Sequence, residues 1–194
     1  MPLDINQFSV IELAPTGSSG HWYRVERRTR RRGGTVVYGY SLPPTGLRVG
    51  RLDVTVCAVG YFADSPLTTL YETLFRRETA HRTFADVGER HVLRATLRAP
   101  LRLLDLCGAE EASPVLVSTR YAETQALALS AHAQGVDGIR YASPQHPSHQ
   151  CIAVFAPALT KLGIVEKTPL VDSAGLRVHR WVAQAQRGSL VPLI

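Results

Sequence analysis

The stretch GLRVGRLDVTVCAVGYFADSPLTTLYETLF, residues 46–75, sets three polar groups in largely apolar surroundings: Arg51 after a glycine, Tyr61 ten residues on, and Glu72 eleven further. A guanidinium donates in pairs from a planar fork that matches phosphate or carboxylate. Such a trio supplies an anion fork, a ring face and a carboxylate. If Arg51 starts a regular strand, its even offset from Tyr61 puts both on one side. A following helix that packs back on the sheet brings Glu72 to the same edge. Two further polar residues stand out: Arg24 in WYRV and Ser143 in YASPQ. Taken singly, each has a structural reading. An Arg–Glu pair is commonly a salt bridge, a strand-end tyrosine is commonly core or rim, and a serine before proline suits a turn. Arg24 alone reads as a solvated strand residue.

The elements that must position these groups follow from pattern. Residues 1–20 read as an N-terminal arm ending in PTGSSG. HWYRVE alternates as a short strand. RRTRRRGG is a basic loop, and TVVYGYSL a second strand. VTVCAVGYFA is continuous and β-rich, which predicts a central strand. DSPLTTLYETLFRRE predicts a helix capped by Asp64 or Ser65, with Pro66 in its first turn and Leu67, Leu70, Tyr71 and Leu74 on one face. TAHRTFADVGER reads as a polar loop. HVLRATLRAPLRLLDL offers one or two strands broken at Pro100. STRYAETQALALSAHAQG predicts a helix from Ser118 or Thr119 to Gly135. DGIRYAS and CIAVFAP are short strands joined by PQHPSHQ. The tail pairs a strand-like GIVEKTPLV with a helix-like HRWVAQAQ. The expected class is α+β: one domain with a mixed, mostly antiparallel β core flanked by helices.

Composition bounds the function. The 194 residues suit one domain, and 45% hydrophobic with 20% charged residues is an ordinary globular balance. No apolar run reaches the roughly 18 residues of a membrane span. The start MPLDINQFSV has no signal-peptide pattern, and Cys57, Cys107 and Cys151 are too few and scattered for a disulfide framework or zinc site. A reducing, cytoplasmic location is therefore expected. The net charge is +6, with 22 Lys+Arg against 16 Asp+Glu, nearly all of the basic residues being arginine. That balance favours anionic partners. Read on its own, the arginine-rich run ERRTRRR leaves open a nucleic-acid-binding module without catalysis. His146 and His149 in HPSH lack a third metal ligand, so no metal is expected. No nucleophile elbow, Rossmann fingerprint or P-loop is present.

The joint pattern of WYRV, GLRVGRLD, VGYFADSPLTTLYE and GIRYASPQHPSHQCIAVF resembles the RES domain, named for an arginine, a glutamate and a serine. The likeness runs over residues 21–156, leaving 157–194 as a C-terminal extension packed on the same domain. Two departures are Leu52, where the family usually has an aromatic residue, and Pro144–Gln145, where a basic residue often follows the serine. The resemblance implies the toxin of a bacterial Xre–RES toxin–antitoxin pair, with an ADP-ribosyltransferase-like fold. It implies NAD+ as substrate, no permanently bound cofactor, and an Xre/ParS-like antitoxin as partner. By the same carry-over Glu72, Tyr61, Arg51 and Ser143 form the catalytic site. Arg24, Arg51, Tyr61 and Ser143 hold NAD+, with Arg24 as a second phosphate-facing arginine. The acceptor of ADP-ribose stays open between water, phosphate and a protein side chain.

Overall fold

The computed structural model describes residues 3–15, 20–29, 33–118 and 121–194. Eight strands form one sheet. They are β1 (Ser9–Leu13), β2 (His21–Arg27), β5 (Val59–Ala63), β6 (Arg90–Leu97), β7 (Leu101–Asp105), β8 (Gly138–Ala142), β9 (Gln150–Phe155) and β10 (Leu162–Pro169), in the spatial order β1-β7-β8-β9-β5-β2-β6-β10. All neighbours run antiparallel except β7 and β8. A parallel pair needs a long crossover, and the helix α3 (Tyr121–Ala133) supplies it. Gly135, at φ +72°, takes the left-handed conformation that ends this helix without a Cβ clash. The mixed, mostly antiparallel α+β architecture agrees with the expected class.

The sheet has a seam. β2 pairs with β6 along seven residues, but with β5 only at Tyr23↔Ala63. Beyond that point the strands part, and the Val25 N–H is taken by Thr69 Oγ1 (3.1 Å) from helix α1 (Pro66–Thr73). The sheet thus opens into two halves with α1 across the gap.

α1 follows its local signals. The Ser65 side chain accepts from Thr68 N, and Pro66 occupies the first turn. Leu70 and Leu74 are fully buried, with Leu67 and Tyr71 beside them, against β2, Val87, Val182 and Ala185. Val182 and Ala185 come from α4 (Arg180–Ser189) in the tail. α1 is shorter than expected because Arg82 reaches back to its end, Nε donating to Leu74 O (2.7 Å). On the opposite half, Leu127, Ala128 and Ala131 of α3 bury against Ile139, Ala153 and Phe155.

Several expectations are corrected. The strand expected over 54–63 exists only as Val59–Ala63: residues 54–58 form a bend that follows the 49–53 turn held by Asp53. TVVYGYSL folds on itself as β3 (Thr35–Val37) and β4 (Tyr40–Leu42), a separate hairpin. Tyr38 (φ 50°) and Gly39 (φ 86°) form its turn, both with the positive φ that two-residue hairpins favour. The expected arm contains β1, which pairs with β7. The expected polar loop contains α2 (Phe84–Gly88), started by a Thr83–Asp86 capping box. Thr119, one of two expected starts of α3, and Arg30–Arg32 of the basic run lie outside the described residues.

Candidate active site

A cavity of about 240 Å³ lies at the seam. Arg24, Arg51, Tyr61, Glu72, Arg76, Tyr121, Tyr141 and Cys151 are among its lining residues. Four of the five residues singled out in the sequence therefore meet on one cavity. The fifth, Ser143, is buried behind Glu72 and touches it directly.

Glu72 sits on α1 with its carboxylate inside the gap. Its Oε1 accepts from Ser143 Oγ (2.5 Å) and from the Gln145 N–H (3.3 Å). Ser143 in turn accepts from the His146 N–H (3.0 Å). This serine follows β8 and heads the hairpin loop into β9, closed by Ser143 N donating to His149 O (2.9 Å). Burial raises the Glu72 carboxyl above the ordinary value of 4.5, against the lowering pull of Ser143, Gln145, Arg76 and Arg51. Ser143 thus orients the carboxylate and keeps it easier to ionise.

The way Arg51 reaches the cavity differs from expectation. It stands in a loop rather than at a strand start. Asp53 Oδ2 accepts from the Val49 and Gly50 N–H groups (3.0 and 2.6 Å), and Oδ1 accepts from Tyr61 Oη (2.8 Å). Tyr61 Oη accepts from the Leu52 N–H (2.9 Å). One buried carboxylate therefore ties the Arg51 turn to the Tyr61 ring. A Cβ at Gly50 would lie 2.5 Å from Tyr61 Oη, so only glycine permits this approach. From the far side, Thr124 Oγ1 donates to Arg51 O (2.7 Å) and Gln125 Nε2 to Gly50 O (2.9 Å). The Arg51 guanidinium donates through Nη1 to Leu116 O and Ser118 O (2.6 Å each) and lies 5.2 Å from the Tyr121 ring centroid.

Arg24 lines the cavity as a seam-holder. Its Nε donates to Glu26 (3.2 Å), one Nη to Tyr61 O (3.1 Å) and the other to Ser41 O (3.0 Å). It thereby bridges β2 and β5 where their ladder has stopped. Its side chain is 11% exposed, which corrects the reading of a solvated strand residue. Glu26, buried beside it, is held below the ordinary carboxylate range. Desolvation opposes this, and His91, Arg24, Lys167 and the Ser41 N–H together outweigh it.

Sequence reasoning missed Asp53, Arg76, Tyr121, Thr124 and Gln125. Asp53 in VGRLD had a usable signal, an Asx side chain three residues after a glycine. Thr124 and Gln125 were polar residues in an alanine- and leucine-rich helix. Arg76 and Tyr121 had no local signal. The two histidines of HPSH serve the loop: His146 Nδ1 meets Thr68 Oγ1 (2.8 Å), His149 Nδ1 meets Asp64 Oδ1 (2.9 Å), and the rings stack at 3.9 Å. Cys151 lines the cavity, and burial and the nearby Glu72 push its thiol pKa well up, which favours the neutral thiol over the thiolate.

The cavity therefore presents three guanidiniums, one carboxylate and aromatic surface, an arrangement suited to an anionic ligand that also carries a ring and hydroxyls. The sequence matches the RES domain family over residues 21–173. The chain belongs to the RES domain family. The match begins at β2 and runs through β10, so it takes in every strand that borders the seam. No curated protein matches the chain by sequence. The fold of this RES domain is similar to that of a chain in the crystal structure of the M. tuberculosis MbcT–MbcA toxin–antitoxin complex. The TM-score is 0.58 at 18% identity, covering 86% of this chain and 89% of that one. Among the described residues, no helix is long and apolar enough to cross a membrane.

Proposed function

We infer that this RES domain cleaves the nicotinamide–ribose bond of NAD+ and acts as the toxin of a toxin–antitoxin pair. The observation that carries the reading is the buried Glu72 carboxylate, aimed into a guanidinium-lined cavity by Ser143. Loss of nicotinamide builds positive charge on the ribose, as in glycoside hydrolysis. The Glu72 carboxylate hydrogen-bonds the ribose hydroxyls and stabilises that charge. The bonding pair leaves with the nicotinamide nitrogen, which becomes neutral, so no general acid is required. An acceptor oxygen then bonds to the ribose carbon; when it is water, ADP-ribose forms and one proton is released. With phosphate or a protein side chain as acceptor, the ADP-ribosyl group is transferred instead. The Tyr61 ring offers a face for the flat cationic nicotinamide. A cavity of about 240 Å³ is below the roughly 300–1,000 Å³ of ligand pockets, so a whole dinucleotide would extend beyond it.

The antitoxin partner rests on the family and on the likeness to a chain from a toxin–antitoxin complex. The reaction is tested by incubating the protein with NAD+ and measuring free nicotinamide, with Glu72→Gln in parallel. Glu72→Gln is expected to lose about 100-fold or more in rate while its melting temperature holds or rises, since a desolvated charge is removed. Near wild-type turnover by Glu72→Gln would sink the mechanism. Repeating the reaction in cell lysate with labelled NAD+ separates small-molecule acceptors from protein acceptors.

A further inference from the structure

We propose that Arg76 and Tyr121, together with Arg51, form the diphosphate subsite of the cleft and set its preference for a dinucleotide; this rests on the NAD+ reading above. Arg76 stands just beyond the C-terminal end of α1 and lines the same cavity as Glu72. Its Nη2 donates to Tyr121 Oη (3.1 Å). Arg51 lies against the same ring, its guanidinium carbon 5.2 Å from the centroid. Tyr121 thereby holds two guanidiniums on one wall, one by its hydroxyl and one by its face.

The three cavity arginines differ in what they have left to give. Arg24 directs all three nitrogens at protein acceptors, and Arg51 commits Nη1 to two carbonyls. Arg76 makes one side-chain hydrogen bond, through Nη2 to Tyr121, while its buried Nε makes none and only faces the Glu78 carboxylate. Its ion-pair partner Glu78 stands 3.5 Å away with a half-exposed side chain (53%), an arrangement that holds an arginine weakly. Burial opposes the Arg76 cation, but Tyr121, Glu78 and Glu72 together outweigh it and hold its pKa above the ordinary value. Paired planar forks fit the oxygens of a diphosphate. A substrate without phosphate gains nothing from this wall.

The test titrates ADP and adenosine into wild type, Arg76→Ala, Arg76→Lys and Tyr121→Phe, and measures nicotinamide release from NAD+ and from nicotinamide riboside. Arg76→Ala should weaken ADP binding and raise the KM for NAD+ by about 10- to 150-fold, with adenosine binding held and nicotinamide riboside turnover lowered far less than that of NAD+. Arg76→Lys should recover part of the loss. If Arg76→Ala does not fold, Tyr121→Phe decides, because it keeps the ring against Arg51 but removes the acceptor for Arg76. Equal losses on NAD+ and nicotinamide riboside, or ADP binding indifferent to these substitutions, would overturn the subsite. A protein that releases no nicotinamide yet binds ADP through Arg76 would retain the subsite and lose the reaction. Cleavage of NAD+ unaffected at Arg76 would do the reverse.

Discussion

Glu72 and Ser143 form one chemical unit, because the hydroxyl that orients the carboxylate also opposes the effect of burial on its ionisation. The folded-state pKa of Glu72 lies above the unfolded value, so its ionisation disfavours the folded state. The associated stability is fully present below the unfolded pKa of 4.5 and is lost as pH rises through the higher folded pKa. The proposed reaction runs in the opposite sense, since within it only ionised Glu72 stabilises a cationic ribose. The rate of nicotinamide release should therefore fall on the acid side with a midpoint above 4.5. Removing the Ser143 hydroxyl takes away the first of the groups that lower this pKa, so Ser143→Ala should move the acid limb to higher pH. A pH profile of kcat/KM for both proteins checks this. An unshifted limb with a uniformly lower rate would mean that Ser143 positions Glu72 without tuning it.

At the level of elements, the site depends on one turn and one seam. The 49–53 turn is held from three sides: Asp53 within it, Tyr61 on β5, and Thr124 with Gln125 on α3. Gly50→Ala places a Cβ 2.5 Å from Tyr61 Oη and 2.7 Å from Asp53 Oδ1. Overpacking of this kind costs about 1–3 kcal/mol. At roughly 2–4 °C per kcal/mol for a chain of this length, the melting temperature should fall by several degrees. The activity should fall further, because Arg51 moves with the turn. In a Tyr61→Phe background the added methyl meets less, so the double variant should lose less than the sum of the two single losses. Thermal melts and NAD+ kinetics on all four proteins test this coupling. The seam is what leaves space for a ligand at all. Where β2 and β5 cease to pair, Arg24 and Thr69 take over their backbone groups, which leaves an opening in the sheet without orphaning its hydrogen bonds.

On the scale of the whole molecule, a net charge of +6 surrounds a cavity lined by three arginines. A basic cleft attracts anions generally, so on the proposed toxin–antitoxin reading an antitoxin silences it most directly by inserting a carboxylate-bearing segment toward Arg51 or Arg76. Inhibition should then be competitive with NAD+, and association should slow as ionic strength rises. Rates measured over a range of NAD+ and salt concentrations check both. Purely non-competitive inhibition would point to a remote conformational mechanism. The C-terminal residues are knit into the domain: Arg82 N–H donates to Pro192 O, Ile194 N–H to Arg82 O and Phe84 N–H to Ile194 O (each 2.9 Å). α4 meanwhile buries Val182 and Ala185 against α1, the helix that carries Glu72.

Much of this is legible in the sequence wherever the cause lies within a few residues. Ser65 and Pro66 start α1 through contacts inside one turn, and its leucines recur at helical spacing, so the placement of Glu72 on that helix follows from local chemistry. The family resemblance grouped Arg24, Arg51, Tyr61, Glu72 and Ser143 as candidates, and the fold sets four of them around one cavity with Ser143 behind Glu72. What local pattern cannot carry is the choice of distant partners. The run 54–58 is as β-prone as 59–63, yet Asp53 spends its carboxylate on Tyr61 and the turn, and the strand starts late. β1 reads as a loose arm until β7, far along the chain, offers its edge. Arg24 has the same sequence context whether it faces solvent, phosphate or Tyr61 O. Arg76 acquires its place from a tyrosine 45 residues away. Periodicity and caps are written in neighbouring residues, whereas hydrogen-bond partners across a cleft are set by which strands pair and where that pairing stops.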